Sequence, residues 1–183
     1  MTKQDIIFET ERFRIVKARK EDFADYLEMV SASEIFKFGA LMTQKAQDEQ
    51  KAKETFNAIM IKEKPSTFMI KQENKGLGVL TMSYSEYLKT YELGYIINHN
   101  YWHKGIATEV SKCALEYLFN TKKTSYVYAI AVAENSASRR VLEKCGFTLE
   151  GILRNNFMLR DELKDDARYG ITFKEWEHYN TVS

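Results

Sequence analysis

The chain is 183 residues long, and 44% hydrophobic with 13% aromatic side chains is enough to build one domain around a sizeable core. Its 27 basic and 26 acidic side chains leave a net charge of +1, which removes any general electrostatic pull toward nucleic acid or an anionic membrane. No apolar run approaches the roughly 20 residues of a membrane span, and the first 30 residues, rich in Glu, Lys and Asp, do not read as a signal peptide, so a cytoplasmic location is expected.

Repeats and low-complexity segments are absent and Pro65 is the single proline, so residues 1–183 are read as one domain. Arg12–Lys17 alternates as a strand, and Glu21–Val30 places Phe23, Tyr26, Leu27 and Val30 at helical spacing. Gln44–Lys62 is a longer predicted helix with a weaker stripe through Phe56, Ile59 and Met60. Thr67–Lys71 and Leu77–Tyr84 read as strands, joined by Glu73-Asn-Lys-Gly76, whose Asn74 and Gly76 are expected to supply the positive φ of a tight hairpin. Thr90–Asn98 is the next strand. Ile106, Val110, Cys113, Ala114, Tyr117 and Leu118 then recur on one face of an amphipathic helix.

Ser125–Val132 is β-rich and apolar. Ala137, Val141, Leu142 and Cys145 mark a shorter helix, with Asn135 or Ser136 as N-cap and Gly146 as the left-handed residue past its end. Phe147–Leu153 and a stretch within Phe157–Phe173 complete the strands, separated by the charged run Arg160–Asp166. Mixed strands with helices on both faces give an α+β, three-layer sandwich. Cys113 and Cys145 fall on apolar helix faces, as small buried hydrophobes do, and neither has metal-ligand spacing to His99, His103 or His178. No metal is expected.

The segment Glu92–Glu109 runs from an apolar strand through a short loop directly into a helix. Gly105 and Ala107 carry little or no side chain, so successive backbone N–H groups can close on a phosphate with the positive end of the helix dipole behind them. Neither a Gly-x-x-x-x-Gly-Lys-Ser/Thr nor a Gly-x-Gly-x-x-Gly pattern occurs, which argues against the common nucleotide-binding folds. Downstream lie Asn135-x-x-Ser138 and Lys144-Cys-Gly-Phe147.

This order of strand, phosphate turn, helix, strand, second helix and Gly-Phe resembles the GNAT N-acetyltransferase superfamily, and within it the ribosomal-protein alanine and serine N-terminal acetyltransferases. The resemblance covers roughly Thr10 to Trp176. It implies a mixed, mostly antiparallel twisted sheet and acetyl-CoA as co-substrate. It implies that the strands on either side of the long helix diverge at one end to receive the pantetheine arm. Tyr95, Ile96, Ile97 and Asn98 would offer backbone partners to that arm, and His103, Lys104, Gly105, Ile106, Ala107 and Thr108 would hold the pyrophosphate. Trp102 departs from the family pattern, which has Gln or Arg there; Lys104 and His103 are the nearby substitutes.

Asn135 matches the family's cofactor-contacting asparagine and is equally a good helix N-cap. Leu142 stands where many members have a tyrosine that protonates the leaving thiolate, which leaves Ser138 for that role. Glu92 lies about where several members place a glutamate base, and reads equally as a surface strand residue. In the N-terminal acetyltransferase branch a base also comes from a later strand, where this chain has Phe157. The resemblance further implies an acceptor site walled by Ser31–Thr43 and Arg154–Asp165, with Phe36, Phe38, Tyr84 and Phe157 as lining candidates.

The reaction implied is attack of an amine on a thioester, and only the neutral amine can attack. At pH 7 an α-amine with pKa of about 7.7–8.0 is roughly a tenth neutral, against about one lysine in two thousand, a difference of roughly 3.5 kcal/mol. The tetrahedral oxyanion would be held by a backbone N–H of Tyr95–Ile97. The expected function is acetyl transfer from acetyl-CoA to a primary amine, a protein N-terminus or a small molecule, in a ternary complex. The alternative is a non-catalytic CoA-binding sensor or scaffold. A homodimer through the C-terminal strands is compatible with either.

Overall fold

Where apolar side chains alternate, the chain pairs into strands, and where they recur every three to four residues it coils. The computed structural model describes residues 6–38, 49–61, 66–159 and 161–182. They belong to two units, Met1–Thr81 with Tyr95–Val110, and Met82–Gly94 with Ser111–Ser183.

In the first unit, β1 (Ile6–Glu9), β2 (Arg14–Val16), β3 (Thr67–Gln72) and the start of β4 (Lys75–Ser85) pair antiparallel in chain order. Val16, Met69 and Val79 project from these strands into a cluster with α1 (Phe23–Val30), α2 (Ser33–Phe36) and α3 (Glu49–Ile61), through Tyr26, Met29, Val30, Ile35, Ala52 and Phe56. The Phe56 ring lies 5.6 Å from Phe23 and 5.0 Å from Tyr26. Ile15, Phe68, Ile70 and Leu80 alternate to the opposite face and are also buried, so both faces of this part of the sheet are covered. A cavity of about 310 Å³ opens beside Lys17, Arg19 and Glu21 and reaches the buried Asp22–Lys71 ion pair. That pair is structural: the other Asp22 oxygen accepts the Arg19 N–H at 2.9 Å and closes the turn leading into α1.

The second unit holds the start of β5 (Thr90–Ile97), the body of α4 (Ile106–Glu116), β6 (Tyr126–Val132), α5 (Ser136–Lys144), β7 (Thr148–Leu159), β8 (Glu162–Thr172) and α6 (Phe173–Val182). β6 pairs antiparallel with β8 from end to end, and β7 with β8. β5 runs parallel to β6, with Tyr91 opposite Val127 and Glu92 opposite Tyr128. The strand order is β1-β2-β3-β4-β5-β6-β8-β7, a mixed sheet of the expected α+β class. Leu142 and Cys145 of the α5 segment are buried, and Gly146 has φ +89°, as its place past the helix end requires.

Several local expectations are corrected. The hairpin after β3 turns on Glu73, at φ +52°, while Asn74 and Gly76 do not take positive φ. Gly76 instead lies in β4, where its N–H donates to Asp25 at 2.6 Å and a Cβ would meet Met69 at 2.9 Å. The charged run after residue 160 is not a separate loop, because Glu162–Asp166 is already β8. β1, α2 and α6 were not anticipated, since each is too short or too weakly periodic to stand out. The ends of the predicted helix at 44–48 and 62 lie outside the described residues. No helix among the described residues is long and apolar enough to cross a membrane.

Candidate functional site

The first unit contributes the end of β5 and the turn into α4. The ladder from β5 to β6 stops at Glu92, so Tyr95, Ile96 and Ile97 lie beyond its last pair. The Ile97 carbonyl accepts the Trp102 indole N–H at 2.8 Å. Trp102 therefore braces the turn from the position where a cation or amide was expected.

Asn98, which the resemblance gives as a partner of the pantetheine arm, is also an anchor of the turn. It is fully buried, its N–H donates to the Leu77 carbonyl at 2.9 Å, and its carbonyl accepts from Tyr101 N–H at 2.9 Å. Its side-chain oxygen accepts the Asn100 N–H at 3.1 Å and its amide donates to Glu28 at 2.9 Å.

The chain then reverses, with His103 at φ +61° and Gly105 at φ +75°. Positive φ at these two positions turns consecutive amides the same way and leads into α4. The first intrahelical bond is Glu109 N–H to Gly105 carbonyl, 3.0 Å, so the amides of Gly105, Ile106 and Ala107 have no acceptor within the helix. Ile106 is buried and presents only its backbone; Ala107 and Thr108 are half-buried; His103 and Lys104 are exposed. The Lys104 ammonium lies 5.0 Å from the Tyr101 ring centroid. A side chain at Gly105 would be strained by its φ, and a Cβ built there would lie 3.6 Å from Arg12 Nη2.

The second unit, taken by itself, holds a polar group on the β5–β6–β8 face. The Tyr128 hydroxyl donates to Glu92 at 3.1 Å, and the Arg168 guanidinium lies 4.6 Å from the Tyr128 ring centroid. Burial, then the Glu92 charge and hydrogen bond, push the Tyr128 hydroxyl above its ordinary pKa. Alongside, Tyr126 donates to Glu150 at 2.7 Å, and burial followed by that bond pushes its hydroxyl up to about 12. Asn135 caps α5 by accepting the Ser138 N–H at 3.1 Å, and Ser138 is half-buried in the first turn. Leu142 is 1% exposed and belongs to the core.

The acceptor candidates fall in both units. Phe38 lies in the first unit beneath the Lys37 ammonium, while the Phe36 side chain falls outside the described residues. Tyr84 packs 5.0 Å from Tyr91 in the second unit, and Phe157 is a half-buried β7 residue opposite Lys164. The exposed apolar side chains of the C-terminal hairpin are Leu149, Ile152, Leu153, Met158 and Leu163 rather than aromatics. Sequence reasoning missed Tyr128, Arg168, Arg12 and Glu109; only the Tyr126/Tyr128 alternation hinted at a shared face. Among the described residues no group of three or more His, Cys, Asp or Glu side chains gathers as for a metal ion.

Residues 12–148 match the family described as acetyltransferase (GNAT) domain. This chain belongs to that family. It is 36% identical over 87 residues to the uncharacterized N-acetyltransferase YnaD of Bacillus subtilis, which is 48% of this chain and 51% of the relative. It is 31% identical to the spermidine N(1)-acetyltransferase of Escherichia coli K12, over 44% of this chain and 43% of that one. The putative ribosomal N-acetyltransferase YdaF of B. subtilis is also 31% identical, over 47% of each chain. The chain thus spans about half the length of the curated relatives it matches. The crystal structure of a GNAT-family acetyltransferase from Bacillus anthracis aligns with TM-score 0.82 and 27% identity, covering 92% of this chain and 98% of that one.

Proposed function

We propose that this chain is an acetyl-CoA-dependent N-acetyltransferase that acetylates a primary amine by direct transfer in a ternary complex. The observation that carries the reading is the turn at the head of α4, with His103 and Gly105 at positive φ and the amides of Gly105, Ile106 and Ala107 ahead of the first helical bond. In this reading the amides of Gly105, Ile106 and Ala107 hold the pyrophosphate, with His103, Lys104 and Thr108 beside them. The backbone of Tyr95, Ile96 and Ile97 receives the pantetheine arm. By the family resemblance, Asn135 and Ser138 in the first turn of α5 are further candidates for contact with acetyl-CoA.

Acetyl-CoA, when bound, supplies an acetyl group activated as a thioester. Glu92 takes the proton from the incoming ammonium, directly or through one water, and the Tyr128 hydroxyl holds its carboxylate in place. Ser138 is the proton donor on the leaving-group side. Relatives named for spermidine and for a ribosomal acceptor support two acceptor classes, a polyamine and a protein N-terminus.

The test is transfer of labelled acetyl from acetyl-CoA to a panel holding spermidine, peptides beginning with Ala or Ser, an aminoglycoside and free amino acids. Steady transfer to at least one amine is expected. The burial of Leu142 in the core favours a second reading, a CoA-binding module without catalysis. Binding of acetyl-CoA with no transfer to any amine would establish that module instead.

A further inference from the structure

Glu109 lies in the first turn of α4, one turn inside the terminus that the proposed function assigns to pyrophosphate. A bare carboxylate there opposes the ligand, because a helix N-terminus carries only about half a positive charge. Glu109 is not bare. Its Oε1 accepts the Thr10 hydroxyl at 2.6 Å and the Arg12 N–H at 3.1 Å, and its Oε2 accepts Arg12 Nε at 2.6 Å. Burial alone would raise the Glu109 pKa, but the bonds from Thr10 and Arg12 outweigh it and hold the carboxyl below its ordinary value. Glu109 is therefore ionised at neutral pH.

The same guanidinium reaches the turn. Arg12 Nη2 donates to the Lys104 carbonyl at 3.1 Å, and a Cβ built on Gly105 would lie 3.6 Å from that nitrogen. One side chain, brought by the segment between β1 and β2, touches both the carboxylate that opposes a phosphate and the backbone that receives it.

We propose that Arg12 is a positioning residue that sets the charge of the phosphate turn, cancelling Glu109 and clamping the Lys104 carbonyl so that the α4 N-terminus stays electropositive. The inference rests on the reading of the turn as a pyrophosphate site. It assigns Glu109 a cost in binding that Arg12 offsets, which a purely structural ion pair does not require.

The test is a double-mutant cycle read by calorimetric titration with CoA, with circular dichroism melting as the check on folding. Arg12→Gln is expected to weaken CoA binding about tenfold, and Glu109→Gln to tighten it about threefold. The double variant, with both charges gone, should return to within about threefold of wild type, and it decides the question even where Arg12→Gln alone is unstable. Unchanged binding in Arg12→Gln, or a double variant as weak as Arg12→Gln, overturns the inference and leaves the turn reading intact. A folded wild type that does not bind CoA overturns both.

Discussion

The Tyr128 hydroxyl donates to a Glu92 carboxylate oxygen at 3.1 Å, and the two residues are direct partners across the parallel β5–β6 ladder. The backbone register therefore fixes the carboxylate's position. Tyr128, with its pKa raised by burial and by Glu92, remains a donor into the alkaline range, and Arg168 covers its ring.

Glu92→Gln is expected to lower kcat about a hundredfold with little change in the KM for acetyl-CoA, and Tyr128→Phe about tenfold. For an α-amine acceptor the Glu92→Gln deficit should shrink as pH rises past about 8, where the amine loses its proton without help. Rate profiles from pH 6 to about 9.5 check this. A deficit that stays constant with pH removes Glu92 as the base.

Gly78 lies where a side chain cannot fit. A Cβ there would stand 2.3 Å from the Ile96 carbonyl oxygen and 3.1 Å from the Ile97 Cα, both backbone atoms. Gly78→Ala should cost about 3 kcal/mol and lower the Tm by about 6–12 °C. Gly151→Ala, with nothing within 4 Å of its Cβ, should stay within about 0.5 kcal/mol of wild type. Thermal melts of the pair decide it.

Burial pushes the Cys145 thiol up to about 12, so at pH 8 it is almost wholly protonated. Iodoacetamide should modify Cys145 only after denaturation, as peptide mass spectrometry would show. Acetylation of Cys145 or Cys113 during turnover would contradict direct transfer.

The depressed Glu109 carboxyl sets a pH dependence of stability. A lowered folded pKa contributes stability that is present above the ordinary value of 4.5 and is lost as pH falls through the lowered value. Glu109→Gln should thus melt below wild type at pH 7, and the gap should close on acidification below 4.5. A gap that holds constant in acid would show that the ion pair contributes nothing to stability.

Much of the fold was legible because period and punctuation agree in it. The α4 stripe, the apolar β6 run and the Asn135 and Gly146 caps each follow from a local rule, and each stands where expected. The helices around 20–61 were legible in outline only, because the stripe of α3 is weak. The turn into α4 was visible in Gly105 and Ala107, but the role of Trp102 was not, since an indole bond to a carbonyl five residues back leaves no periodic trace. Arg12 and Glu109 are 97 residues apart in sequence and meet only through the fold. Tyr128 and Glu92 likewise needed the β5–β6 register. The anchoring bonds of Asn98, to Leu77 and Tyr101, were not visible in its strand context.

The measurement that bears most directly on the central claim is calorimetric titration of the wild-type chain with acetyl-CoA, beside the double variant Gly105→Glu, Ala107→Glu. The expected result is micromolar binding by wild type that the folded variant loses, because new carboxylates would occupy and repel at the turn. Equal binding by both would remove the turn as the pyrophosphate site, and no binding by wild type would contradict the account as a whole.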